Sequence, residues 1–226
     1  MGPRERRDRE RGEVRTRILD AARELFAAEG YEAVTMRRIA ERIEYSPTAI
    51  YFHFRDKETL LTELCQNDFL TLASQFTKLQ EVPDPIEKLR ATGLAYFHFG
   101  LEYPNHYRLM FMTPHPPVDE GKAIEKGNPE EDAYAFLKSI VAQCIAENRF
   151  RPELTDADLV AQTVWGGVHG AISLHIAKCN DDWVDWRPEE ARVQLMIDVL
   201  VGGLGRADGG QLAVGSGQKN DMGDES

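Results

Sequence analysis

Ser46, Thr48, Tyr51 and His53 place four polar side chains within eight residues, behind Pro47 and around a small Ala49. Hydroxyls and an imidazole donate and accept the hydrogen bonds that base edges and phosphates offer, and a small residue among them lets the backbone come close. Thr35, Arg37 and Arg38 precede this group and Lys57 follows it. These are a hydroxyl and three cations of the kind that holds phosphate oxygens. His169 and His175 are six residues apart and would face different sides of a helix, and no His-Glu-x-x-His spacing occurs, so no metal site is expected. Asp181, Asp182 and Asp185 accompany Trp183 and Trp186 in an expected loop, where acids are ordinarily solvated. Paired carboxylates, a nucleophile beside a base and a phosphate loop are not found in useful places, so neither catalysis nor a cofactor is expected.

The elements that would position these tips are helices. Ile18, Leu19, Ala22, Leu25 and Phe26 form one apolar helical face, expected from about Val14 to a stop at Gly30. Thr35 can cap a second helix carrying Met36, Ile39, Ala40 and Ile43. Ser46-Pro47 can open a very short third one to His53, and Asp56 a fourth that reaches about Leu79. Three short helices with tight turns suit a helix-turn-helix, whose last helix enters a major groove about 12 Å wide. Spacing alone fits an ordinary three-helix corner equally well. Further helices are expected over about Asp84–Glu102, from Pro104 through Phe111, over Ala133–Ile145, from a Thr155 cap to Lys178, and over Glu189–Leu204. The residues from Thr113 to Glu130 read as loop. The chain is therefore expected to be all-α, with about nine helices.

The 226 residues are 42% hydrophobic and 29% charged, enough to bury a core and too apolar for a disordered chain. The net charge of −11 is unevenly spread: residues 1–60 carry 13 basic and 12 acidic side chains, and residues 61–226 carry 14 and 26. Seven arginines fall in the first 17 residues, so one end of an acidic chain can still touch a polyanion. No apolar run approaches the roughly 20 residues of a membrane span. No signal peptide is read at the N-terminus, and Cys65, Cys144 and Cys179 lie far apart, so a cytoplasmic location with no membrane partner is expected.

The stretch from Arg17 to Leu61 resembles the DNA-binding domain of the TetR family of bacterial transcriptional regulators. The residues that carry the resemblance are Ala21-Ala22, Leu25-Phe26, Gly30-Tyr31, Thr35, Arg37, Ile39-Ala40, Ser46, Ile50-Tyr51, His53-Phe54, Lys57 and Leu60. The turn before the third helix departs from the pattern, with Glu44 and Tyr45 where glycine and valine are usual, and Thr48 stands where the recognition helix usually has glycine. Glu44 must then either bear a left-handed backbone at roughly 1 kcal/mol or adopt a different turn. The resemblance implies a DNA-binding head over residues 13–60 that contacts DNA through Thr35, Arg37, Arg38, Ser46, Pro47, Thr48, Ala49, Tyr51, His53 and Lys57. It also implies a regulatory and dimerisation body over 61–205. The arginine-rich residues 1–12 read as a flexible basic arm, which by the resemblance can reach a minor groove or phosphates and otherwise is a solvated tail, and 206–226, low in hydrophobicity with five glycines from Gly209 on, read as a disordered tail.

For the body, the resemblance implies a homodimer built from the last two helices of each subunit, reading a pseudo-palindromic operator in double-stranded DNA. Gly166, Gly170, Ser173 and Ala177 form a row of small residues that a partner helix can approach, and Val193, Met196, Ile197 and Leu200 lie on the next helix. The segment TVWGGVHGAISL resembles a subfamily with a Trp-His-Gly signature, here Trp165, His169 and Gly170. A pocket for a small organic effector is implied as well, with Phe97, His98, Tyr103, Tyr107, Phe111, Trp165 and His169 as its expected lining. The expected function is a ligand-responsive repressor. The alternatives are an activator of the same family and a helical interaction protein whose DNA binding Glu44 has weakened.

Overall fold

The computed structural model describes residues 2–114 and 124–205, and every regular element among them is helical. The order is α1 (Pro3–Glu29), α2 (Met36–Arg42), α3 (Pro47–His53), α4 (Lys57–Thr77), α5 (Pro85–Glu102), α6 (Pro104–Phe111), α7 (Ala133–Ala146), α8 (Ala157–Lys178) and α9 (Glu189–Leu204). Side-chain caps fix several of the starts. Thr35 accepts from the amide of Arg38, Ser46 from that of Ala49, Asp56 from that of Thr59, and Asp84 from those of Ile86 and Glu87.

Two boundaries differ from the expectation. The start of α8 is capped by Asp156, which accepts from the amides of Asp158 and Leu159, and not by Thr155. Helix α1 begins at Pro3 rather than near Val14, so the expected arm is helical over its described residues. Apolar periodicity is missing there, but the pairs Arg6–Glu10 and Arg9–Glu13 at i,i+4 support a helix without it. The expected tail over 206–226 lies outside the described residues, as do 115–123 of the expected loop.

The apolar side chains form two cores. One holds Ile18, Phe26, Ile39, Ile50 and Phe54 with Leu60, Leu61 and Leu64 of α4, and binds α1–α3 into a head. The other holds Phe97, Phe99, Tyr107, Ile140, Val168, Ile172 and Ile197 and binds α5–α9 with the far half of α4. Helix α4 thus belongs to both, with Phe69 packed against each. Helix α5 lies among α4, α6, α7, α8 and α9, which explains its apolar residues on every side. Its approach to α8 is close at Gly100, where an added Cβ would stand 2.5 Å from Ile172.

Candidate functional site

The head presents α3 outward. Ser46, Pro47, Thr48 and Tyr51 are exposed along it, Ala49 and His53 are half-buried, and Ile50 anchors the helix in the core. Phe52 is 69% exposed beside Tyr51, a large apolar contact that the polar pattern did not single out. Thr35, Arg37 and Arg38 stand exposed at the start of α2. Arg37 pairs with Glu41 and Arg38 with Glu29, each at 3.0 Å, and Arg42 with Glu24 at the same distance. Exposed pairs of this kind are worth about 0–1 kcal/mol, so a phosphate oxygen can displace the carboxylate at little loss.

Lys57 is placed differently from the expectation. Its ammonium donates to the carbonyls of Tyr31 at 2.8 Å and Val34 at 3.0 Å, and lies 4.0 Å from the centre of the Tyr31 ring. Two of its three donors therefore tie α4 to the turn between α1 and α2, and its main structural work is internal. His53 is held below the usual histidine range by burial and then by the charges of Arg11 and Arg15, so it is neutral at pH 7. Glu44 takes the strained alternative: its φ is 61°. The turn closes with Glu44 N donating to Glu41 O at 3.3 Å and Tyr45 N to Ala40 O at 2.9 Å, the hydrogen-bond pair of a helix end that normally carries glycine.

In the body, a cavity of about 490 Å³ opens between α4, α5, α6, α7 and α8. Its wall is aromatic and aliphatic, with Phe69, Phe76, Tyr96, Phe111, Tyr134 and Trp165 prominent. The polar atoms among these residues already have protein partners. Trp165 Nε1 donates to Tyr96 Oη at 2.9 Å, Tyr134 Oη to Asp158 at 2.8 Å, and Thr92 Oγ1 to the Lys88 carbonyl at 2.8 Å. Lys126, Glu131 and Asp132 lie at its edge. Among the described residues, no cluster of three or more metal-ligating side chains is present.

Of the seven residues expected to line a pocket, Phe111 and Trp165 do so. Tyr107 and His169 stand behind the wall, their Oη and Nδ1 sharing a hydrogen bond at 2.6 Å and their rings stacked. Burial lowers the His169 pKa and raises that of Tyr107, so both are neutral at pH 7. The other three are corrected. Phe97 is core, His98 is exposed on α5, and Tyr103 packs on Phe99 and His106 at the link to α6. Leu72, Phe76 and Leu137 also line it, and nothing in their type or spacing sets them apart from core residues.

Helix α6 joins the cavity to the head. Met110 and Phe111 line the cavity, while Leu109 lies in the head's core. Arg108 donates to the Ile176 carbonyl at 3.1 Å, and His106 Nδ1 lies 2.9 Å from Asp68 Oδ1. Asp68 is buried in α4 and accepts from Arg23 of α1 through both carboxyl oxygens, at 2.9 and 3.2 Å. Arg23, Asp68 and His106 thus tie the head, the shared helix and the cavity helix together.

The expected dimerisation residues divide. Gly166 and Gly170 are exposed, with nothing within 4 Å of an added Cβ, and Ala177 is exposed while Ser173 is half-buried. The close approach of α8 to α9 uses Gly167 against Leu200 instead. Val193 and Ile197 are corrected: they point into the body's own core, out of a partner's reach. Met196 and Leu200 are half-buried. The outward apolar residues of α9 are instead Leu195 at 64% and Val199 at 62% exposure.

Comparison with known proteins gives matches over most of the chain. Residues 18–64 match the model for bacterial regulatory proteins of the tetR family, and residues 89–200 match a tetracyclin repressor-like C-terminal domain. The chain is 30% identical over 171 residues to the transcriptional repressor KstR2 of Mycolicibacterium smegmatis, covering 68% of this chain and 77% of that one. It is 44% identical over 59 residues to the transcriptional repressor AcnR of Corynebacterium diphtheriae, a match that spans 26% of this chain and about a third (31%) of AcnR's length. The crystal structure of the TetR family regulator PfmR from Thermus thermophilus superposes with a TM-score of 0.65 at 26% identity, covering 84% of this chain and 99% of that one.

Proposed function

The chain belongs to the TetR family of bacterial regulatory proteins, and we propose that it is a repressor that binds an operator as a homodimer and leaves it when a small apolar effector fills the body cavity. The observation that carries the responsive part is the double membership of α6, with Phe111 in the cavity wall and Leu109 in the head's core. An effector that holds Phe111 and Met110 in one position also biases Leu109 and, through His106, the Arg23–Asp68 pair. A ligand shifts such an equilibrium only by its differential affinity for the two states, and near-complete release needs about 10⁴-fold.

DNA contact rests on Thr35, Arg37, Arg38, Ser46, Pro47, Thr48, Ala49, Tyr51 and His53, with Phe52 added. Dimerisation rests on the exposed small residues of α8 and on Leu195 and Val199. A two-fold axis there would set two recognition helices about one DNA turn, roughly 34 Å, apart. The repressor sign is supported by the likeness to the transcriptional repressor KstR2 over 68% of this chain. The division into a 13–60 head and a 61–205 body is supported by the two cores, with α4 shared across the boundary. Membership of the Trp-His-Gly subfamily is supported by Trp165 on the cavity and His169 behind it. The effector is largely apolar, because the aromatic wall is apolar and the hydroxyl and indole groups of Tyr96, Tyr134 and Trp165 are already paired, while Lys126, Glu131 and Asp132 leave charged groups at the edge.

The test is release from DNA. Protein bound to a duplex selected from a random-sequence library is screened with uncharged organic compounds, and binders are detected by quenching of Trp165. Cavity binders are expected to dissociate the duplex, and Val164→Phe, which fills the cavity, to abolish their effect while DNA binding persists. Binders that quench Trp165 and leave DNA affinity unchanged would refute the coupling.

A further inference from the structure

The polar side chains of the cavity wall have turned their hydrogens away from the void. Thr92 Oγ1 donates to the Lys88 carbonyl at 2.8 Å within its own helix, and Tyr134 Oη donates to Asp158 at 2.8 Å. The indole of Trp165 donates its one hydrogen to Tyr96 Oη at 2.9 Å, a bond between two residues of the wall. A hydroxyl has one hydrogen and two lone pairs. Toward the cavity Thr92 and Tyr134 can therefore only accept, Tyr134 through the lone pair left beside the bond from Gln162 at 3.3 Å. The remaining side-chain donor among the described lining residues, Lys126, stands exposed at the mouth.

The direction of the Tyr96 hydrogen is set behind the wall. Tyr107 Oη and His169 Nδ1 are 2.6 Å apart, and burial keeps both groups neutral. An imidazole nitrogen is a far stronger base than a phenol oxygen, so Tyr107 donates and Nδ1 accepts. The Tyr107 hydroxyl is also the hydrogen-bonding neighbour of the Tyr96 hydroxyl, the two rings lying 5.5 Å apart. With its own hydrogen committed to His169, Tyr107 can only accept from Tyr96. The hydrogens thus run one way, from Trp165 through Tyr96 and Tyr107 to His169. Tyr96 is left facing the cavity with a lone pair and no hydrogen.

We propose that the cavity selects effectors that donate a hydrogen bond, apolar molecules carrying a hydroxyl or N–H group, over those whose polar atom only accepts, such as ketones, esters and ethers. The selection rests on the cavity being the effector site, as read above. A donor finds acceptors on Thr92, Tyr96 and Tyr134. A buried carbonyl finds no side-chain hydrogen to replace the water it has lost. Tyr107 and His169 are positioning residues here, fixing where Tyr96 points its hydrogen without lining the cavity themselves.

Carbazole, fluorene and fluorenone share one rigid outline and place an N–H, a methylene and a carbonyl at the same position. Their binding to the purified full chain is measured by equilibrium dialysis. The wild type is expected to bind carbazole about fivefold tighter than fluorene, the worth of one net hydrogen bond, and fluorenone more weakly than fluorene. Val164→Phe, which fills the cavity, should remove the binding of all three. Tyr107→Phe changes no lining side chain, yet it frees the Tyr96 hydrogen to turn into the cavity and should place fluorenone ahead of fluorene. Tyr96→Phe leaves the Trp165 hydrogen without its acceptor and should do the same by a second route. Circular dichroism checks that each tyrosine variant is folded. Lys126→Met should keep the wild-type order, and a change there would assign the choice to the mouth and overturn the proposal. Fluorenone ahead of carbazole in the wild type, or the wild-type order in a folded tyrosine variant, would overturn it too while leaving the effector site standing. If none of the three binds, or if Val164→Phe leaves their binding intact, the cavity as effector site falls and the selection with it.

Discussion

Replacing Asp68 with Asn keeps the shape of the side chain and removes the charge that faces Arg23. The Asp68 side chain is 2% exposed and that of Arg23 11%, so water cannot take over the lost contacts. Breaking a buried pair by neutralising one member costs about 3–5 kcal/mol. Arg23 keeps a second partner, Asp20 at 3.0 Å on the outside of α1, which places the loss near the lower end, about 3 kcal/mol. For a chain of this size that lowers the melting temperature by roughly 6–12 °C. Arg23→Met combined with Asp68→Leu removes both charges while filling the space, and is expected to recover most of the loss. Urea denaturation at one fixed protomer concentration is the assay, because the stability of a dimer depends on concentration. Circular dichroism reports every helix, whereas Trp165, Trp183 and Trp186, the chain's three tryptophans, all report the body. In Asp68→Asn the circular dichroism curve should begin to fall before the fluorescence curve, because the head has lost its tie to α4. A change below about 0.5 kcal/mol, within the scatter of surface substitutions, or a double variant as unstable as the single one, would show that the Arg23–Asp68 pair does not hold the head to α4.

Three further outcomes are expected. Glu44→Gly relieves the left-handed backbone at φ 61° and is expected to add up to about 1 kcal/mol in denaturation, and to raise DNA affinity by removing a charge near the duplex, whereas Glu44→Gln should do only the second. Gly100→Ala is expected to destabilise by about 1–3 kcal/mol, because its Cβ meets Ile172 at 2.5 Å, while Gly170→Arg should leave the protomer folded and yield monomers in sedimentation. Acidification should lower stability from about pH 6.5 downward: the unfolded chain takes up protons on His53 and His169 that the folded chain, with both pKa values depressed, refuses. His169→Gln should flatten that slope, and rising stability between pH 7 and 6 would contradict it. A separate loss belongs to Asp56, whose hydrogen bonds to Thr59 hold its pKa at about 2, and it begins only below about pH 4.

The head was largely legible because its signals are local. Thr35, Ser46 and Asp56 act within their own first turns, and the left-handed turn at Glu44 follows from the residue that normally occupies it. The start of α1 was not legible, since Arg6–Glu10 and Arg9–Glu13 hold a helix without an apolar face. The cavity was read only in part. A helix like α5, apolar on all sides, carries no mark of which side meets a void, so Phe97 and His98 were placed in a lining they do not reach. Periodicity on α9 identified apolar residues but not their partner: Val193 and Ile197 belong to the protomer's own core, and Leu195 and Val199 are left outside. Long-range contacts such as Arg23–Asp68–His106 have no signature in a single sequence.

Whether the protein reads DNA as a two-fold dimer is decided by selection from a random duplex library with the purified full chain. An inverted repeat is expected, with half-site centres about one helical turn, roughly 34 Å, apart or a whole multiple of it. Its recovery should be lost in Gly170→Arg, which breaks the pairing of subunits. Recovery of a single asymmetric site, or of no preferred sequence with affinity that vanishes as salt rises, would contradict it.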